Sequence, residues 1–264
     1  MKTRVSRSDG KKRESGAATP LSVKLQRRYF ALAFAVMAST NRLIFIIARF
    51  ININMYHYDL KLPWDDLVPF LPWTFIIYWY SSAWRVLIYW RMSLRSRKEA
   101  DRFFTAMLLA HAMAMIIFII MPTSLVRPEV TGNTLWDDSI RWLYDTDPPE
   151  NIFPSVHCLL AAMTWIGLRG KKDVNLVFRT VNFLMVAGVY ISVLTVRQHV
   201  MVDILGGIVV AEVAYLIARS EKVTAPVSRL INKVIYLKLT PEELQEVQLS
   251  AVNVELAEKK DGPV

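Results

Sequence analysis

Thiol chemistry has almost no material in this chain. One cysteine, Cys158, stands among 264 residues, which excludes a disulfide framework and any zinc site built from thiolates. Histidine is nearly as scarce. His57, His111, His157 and His199 are the full set, too few for a metal cluster, so neither a metal nor another cofactor is expected. Internal repeats are missing, which excludes a solenoid or array. No small-residue cleavage site follows the basic first segment, so residues 1–28 do not read as a signal peptide. Charge is the last shortage. Charged residues make up 21% of the chain and are gathered into blocks, leaving long stretches nearly free of them.

Those stretches are apolar. Hydrophobic residues reach 53% and the mean hydropathy is +0.28, above the range usual for soluble domains. A bilayer core of about 30 Å takes roughly 20 apolar residues as a helix. Six segments fit, near 29–48, 69–90, 103–121, 155–168, 177–196 and 200–218; the fourth is short and needs tilt or an extra turn. The expected fold is all-α: a multi-pass protein of the cell membrane with six transmembrane helices in a bundle. Lys and Arg placement sets its orientation. Residues 1–28 hold nine of them, and the segments 91–102 and 169–179 hold five and four. Segment 51–68 has Lys61 alone, and 122–153 has Arg127 and Arg141 against six acids. Both termini are therefore expected in the cytoplasm, with 51–68, 122–153 and 197–199 facing outward. On this reading the net charge of +9 marks cytoplasmic loops and anionic lipid contact, not nucleic acid. Three regions follow: a disordered basic arm over 1–28, the membrane domain over 29–219, and a cytoplasmic tail over 220–264. In the tail, Thr240, Pro241 and Glu243 announce a short helix start.

Three polar segments share the outward face: Arg127-Pro128, Pro154-Ser155-Val156-His157, and Arg197-Gln198-His199 with Asp203. His199 and Asp203 stand at i and i+4 on one helix and so point the same way. A carboxylate there can fix the imidazole tautomer and make the other ring nitrogen a better nucleophile. His157, at the same depth on the first turn of another helix, can act as general acid. Ser155 sits where the free N–H groups of a helix start meet an anion. Arg127 and Arg197 offer guanidinium forks suited to phosphate oxygens. Together these residue types describe a phosphoryl-transfer site that uses no metal.

The order Arg-Pro, Pro-Ser-x-His, then His-x-x-x-Asp resembles the type 2 phosphatidic acid phosphatase superfamily, which includes vanadium haloperoxidases and sphingolipid phosphotransferases. The resemblance covers roughly residues 60–218 and is most specific in NIFPSVHCLLAAMTW and VLTVRQHVMVDILGG. It implies that His199 forms a phosphohistidine, with Asp203 as its partner and His157 as acid for the leaving group. Ser155 and Arg127 are then phosphate ligands. Two family cations are absent, since Ile120 stands where the first motif has lysine and Val193 where the third has arginine. The pattern is closer to the branch containing inositol phosphorylceramide and sphingomyelin synthases. Arg197 is expected to replace the missing third-motif arginine, with Arg42 and Arg141 next in line.

The leading expectation is thus a lipid phosphatase acting at the outer face on a lipid phosphate or diphosphate. A phospho-headgroup transferase and a non-catalytic membrane scaffold or transporter remain open, and oligomeric state is not legible. The expected partners are a lipid phosphate and the bilayer. Other polar residues have plainer readings. Arg42, about 10 Å below the outer end of its span by helical rise, reads as a helix–helix hydrogen bond. Arg85 and Glu212 lie at matching depths and are expected to pair. His111 reads as a core histidine and His57 as a loop residue. Met113, Met115 and Met163 read as packing.

Overall fold

A computed structural model describes residues 20–237 and 239–246, and these are helical throughout apart from connecting segments. Among the described residues eight α-helices follow one another: α1 (Pro20–Asn52), α2 (Phe75–Ser93), α3 (Arg97–Ile120), α4 (Leu135–Thr146), α5 (Val156–Leu168), α6 (Leu176–Thr195), α7 (Met201–Ile217) and α8 (Glu221–Tyr236), with two short 3-10 turns, Pro63–Leu67 and Pro72–Thr74, between α1 and α2. Extended structure among the described residues is limited to isolated bridges from Thr123 and Ser124 to Tyr58 and Glu150. Each of the six apolar stretches contains a helix, although the second, expected from residue 69, becomes α-helical only at Phe75. Three helices are long and apolar enough to cross a membrane, over Val23–Asn52, Arg97–Ile120 and Leu176–Thr195; α7 with α8 makes a fourth if taken as one span bent by 86°. Outward faces carry large apolar side chains such as Phe183, Leu184, Ile191, Leu205 and Val209, a surface suited to hydrocarbon and poorly suited to water.

Helix starts follow local chemistry. Ser155 Oγ accepts from the Cys158 N–H at 3.2 Å and Asn175 Oδ1 from the Phe178 N–H at 2.7 Å, each satisfying a first-turn donor. Three boundaries differ from the sequence reading. Residues 20–28, assigned to the arm, are the opening turns of α1, while 1–19 lie outside the described residues. The 122–153 connection contains α4. Its start is a reciprocal cap, with Asp137 N–H on Thr134 Oγ1 at 3.3 Å and Thr134 N–H on Asp137 Oδ2 at 2.9 Å; Ile140 and Leu143 are its buried face. The tail gains α8, which turns back beside α1 and α3. The Thr240–Glu243 cap forms as expected, with Glu243 N–H on Thr240 Oγ1 at 3.2 Å, and Lys24 bonds Glu243.

α3 runs through the middle of the bundle against α1 and α7, while α7 packs on α5 and α5 on α6. Small side chains allow this closeness. Ala106, Ala110 and Ala114 on α3 and Ala211 and Ala214 on α7 are fully buried. The tightest approach of backbone to backbone at a glycine is at Gly207. A Cβ there would lie 2.6 Å from the Ser155 carbonyl oxygen and 2.9 Å from the Leu159 nitrogen, and both are backbone atoms that cannot rotate away. Gly207→Ala gains about 1 kcal/mol of helix propensity but is expected to lose more by forcing α5 and α7 apart. A lower thermal midpoint, with His157 displaced from His199, is the anticipated result; an unchanged midpoint would mean that α5 yields freely.

One end of the bundle gathers the segments 53–74, 122–155 and 196–200, tied together by backbone bonds such as Leu71 N–H to Thr195 O at 2.9 Å. The opposite end is ionic. Arg95 grips Asp173 at 2.7 and 3.0 Å, which holds the Asp173 carboxyl down at about 2. Lys98 reaches Glu221 at 2.6 Å.

Candidate active site

α5 and α7 begin side by side, and this sets the histidines. The Ser155 N–H donates to the Asp203 carbonyl at 3.0 Å, pinning the start of α5 to the first turn of α7. The 196–200 turn folds so that the Val193 carbonyl accepts from both the Gln198 N–H (2.9 Å) and the His199 N–H (3.1 Å). His199 then bonds through Nδ1 to Asp203 Oδ2 at 3.2 Å, and the same oxygen accepts the Val200 N–H at 3.0 Å. Asp203 is fully buried and its Oδ1 has no partner. With Nδ1 as donor to the carboxylate, the His199 lone pair is on Nε2. The His157 and His199 ring centroids are 5.8 Å apart.

His157 is held by a residue the sequence reading passed over. Tyr78, buried on α2, places its hydroxyl 2.8 Å from His157 Nε2 and 3.3 Å from Asp147 Oδ2. Its single proton serves Asp147, which leaves the phenol oxygen to accept from His157 Nε2–H. Asp147 directly follows α4, so the end of α4, α2 and α5 meet at one side chain.

Arg127 is half-buried beside this group. Its Nη1 donates to the Asp147 carbonyl at 2.6 Å, its Nη2 bonds Gln198 Oε1, and its guanidinium lies 4.7 Å from the Tyr144 ring centroid. Burial draws Arg127 below the ordinary arginine range, against the opposing pull of Asp147. Tyr144 donates to the Val196 carbonyl at 2.9 Å, and burial pushes its phenol up to about 12, so it stays a donor. Arg127 therefore reaches the residue next to His199, with both terminal nitrogens on neutral acceptors.

The other expected ligands sit less simply. Ser155 is fully buried, its oxygen accepting from the α5 backbone. Arg197 departs from the expectation. Its backbone is left-handed, at φ 56°, and its fork closes on the Asp65 and Val68 carbonyls at 2.7 and 2.5 Å. It fastens the 63–68 turn over the 196–200 turn and turns away from the histidines. Arg141 is also occupied, by the Val130 and Gly132 carbonyls at 2.8 Å each. The expected Arg85–Glu212 pair does not form. Glu212 takes Arg169 in a two-point pair at 2.6 and 3.0 Å, because α7 neighbours α5 and not α2. His111 is a core histidine, donating to the Met107 carbonyl at 2.8 Å.

His157 opens onto a cleft of about 740 Å³ between α1, α2 and the end of α4. Arg42 and Arg49 from α1 line it, with Tyr78, Trp79 and Arg85 from α2. The signal for this wall was present: Tyr78, Ser82 and Arg85 fall at i, i+4 and i+7, a polar stripe along an otherwise apolar helix. Among the described residues, no three His, Cys, Asp or Glu side chains are grouped to hold a metal ion. No family model matches this chain, and no curated protein or solved structure matches it either.

Proposed function

We propose that this chain is an integral membrane phosphatase of the type 2 phosphatidic acid phosphatase kind, removing phosphate from a lipid phosphate or diphosphate. The observation that carries the reading is the His199–Asp203 bond at 3.2 Å with the His157 ring beside it on the adjoining helix start. A nucleophile needs an oriented base and an acid within reach of one reacting atom, and these three side chains meet that need. In the reaction, His199 Nε2 attacks phosphorus and the bond to the lipid oxygen breaks as His157, entering as the imidazolium with its Nε2–H held by Tyr78, gives that oxygen its Nδ1 proton. Water then adds to phosphorus with His157 taking its proton, the P–N bond breaks, and inorganic phosphate leaves. Asp203 stabilises the imidazolium. Arg127 balances charge that spreads over the equatorial oxygens.

The bundle is read as six spans with both termini cytoplasmic and the histidines at the outer face. Supporting this, the basic segments 91–102 and 169–179 share the end opposite the histidines. Single cysteines at Asp145 and Lys172 test it, and Cys158 needs no replacement because it is fully buried. An impermeant thiol reagent applied outside intact cells should label position 145 and spare 172. The reverse pattern would put the histidines in the cytoplasm.

Activity is tested by incubating purified protein with lipid mono- and diphosphates, with and without alcohol acceptors. Release of inorganic phosphate that survives a chelator and falls with orthovanadate is expected. A phosphorylated or headgroup-bearing alcohol appearing in place of phosphate would make the enzyme a transferase using the same histidines. No turnover of any lipid in the panel would sink the reading.

A further inference from the structure

Arg42 and Arg85 remain unexplained by that reaction. Each lies ten residues in from the end of its helix nearest the histidines, about 15 Å by helical rise. An arginine at such a depth is expensive unless it is paired, hydrogen-bonded or wet. The described residues offer little. Arg85 donates from Nη2 to Ser82 Oγ at 2.9 Å and makes no ion pair, and Arg42 has neither a hydrogen bond nor an ion pair. Arg42 is exposed, and half-buried Arg85 has no nitrogen sealed without a partner; both side chains line the cleft, where their remaining N–H groups are free to meet a ligand. The acids of that cleft do not serve them. Asp145 is in the last turn of α4, and Asp147 and Glu150 come from the segment joining α4 to α5. Asp147 accepts from Tyr78, and Glu150 is within 3.2 Å of Arg49. Arg85 lines the cleft together with His157 and shares with it a second, smaller cavity.

We propose that Arg42 and Arg85 are the anion-binding residues of the cleft, holding the phosphate dianion of a single-headgroup lipid phosphate beside His157. The inference rests on the phosphatase reading of the histidine pair. It supplies the cations that Ile120 and Val193 cannot, from helices that carry none of the three recognised segments. Two guanidinium groups match a phosphomonoester dianion in charge and in donor geometry. The bound headgroup in turn supplies the counter-charge that the described residues do not.

Binding and turnover are read separately. In a His199→Ala background, phosphatidylcholine nanodiscs doped with phosphatidic acid are used, and retained lipid is counted by native mass spectrometry. The parent should retain phosphatidic acid over phosphatidylcholine. Adding Arg85→Ala or Arg42→Ala should cut retention at least tenfold, and Arg85→Lys should restore part of it. Retention within twofold of the parent in both alanine variants would overturn the proposal. Inorganic phosphate at the lipid's concentration should not displace it; displacement would assign the site to free phosphate and overturn the lipid assignment. With His199 present, Arg85→Ala should lower kcat/KM for phosphatidic acid by about 10²–10³-fold, as loss of a transition-state donor does. Thermal unfolding excludes a purely structural role. Arg85→Leu removes an unpaired intramembrane charge and should melt no lower than wild type, whereas a strut between helices would melt earlier and overturn the proposal. Arginine-dependent retention in a protein that hydrolyses nothing would sink the phosphatase reading and leave the anion site standing; turnover with arginine-independent retention would do the opposite.

Discussion

Replacing His199 with alanine is expected to lower lipid phosphate turnover by on the order of 10⁴–10⁶-fold, the scale seen when a covalent nucleophile is removed from a coupled set. The side chain is 8% exposed and sits on a turn held by backbone bonds to Val193, so the fold does not depend on it. No phosphoenzyme should accumulate on acid quench in this variant. His157→Ala separates the two roles. Its loss should be largest with a natural lipid alcohol as leaving group and much smaller with an activated aryl phosphate, which departs without protonation. A labelled phosphoenzyme surviving in His199→Ala would move the nucleophile elsewhere.

Asp203→Asn should cost on the order of 10²–10⁴-fold in kcat, comparable to neutralising the carboxylate that orients a catalytic histidine. One oxygen of Asp203 receives both His199 Nδ1 and the Val200 N–H. Asparagine can keep its oxygen there, and its NH₂ then occupies the position of Oδ1, which is buried with no partner. The tautomer is preserved but the charge opposite the forming imidazolium is gone, and a buried donor is left unpaired at about 1–3 kcal/mol. A modest fall in melting temperature with a large fall in kcat is the expected signature. Full activity would show that the carboxylate charge plays no part.

Local spacing made part of this legible in the sequence. Each apolar run reports its own helix; the His199–Asp203 pair forms as expected but not on one helix, since His199 precedes α7 on the 196–200 turn and meets Asp203 where that carboxylate also caps the Val200 N–H. Relations between helices were out of reach. Glu212 lies at a depth that suits Arg85 as well as any cation, and only the rotation of α7 toward α5 gives it to Arg169. Tyr78 meets His157 because α2 turns its polar stripe inward, which a count of residues cannot reveal. Arg197 was misread because a left-handed backbone at a non-glycine residue leaves no mark in the sequence. α4 was overlooked for a different reason: acids and prolines around it outweighed the Thr134–Asp137 cap, although that cap is a local signal.

Arg127 and Arg197 share a property with consequences beyond their geometry. Arg127 is held by the Asp147 carbonyl and the Gln198 amide oxygen, and Arg197 by the carbonyls of Asp65 and Val68. Dipoles of this kind fix a guanidinium in place without cancelling its charge. A carboxylate in the same position would immobilise it equally well and extinguish its field. This end of the molecule therefore keeps two rigid cations in place before any anion arrives, inside a rim of loops that carry more acids than bases. Under the proposed chemistry the approach of an anionic headgroup is an electrostatic event first and a fitting event second. Because the loops at this end carry more acids than bases, added salt should quicken capture by screening that outer repulsion, while the rate of the bound complex, shielded from bulk salt, should hardly change.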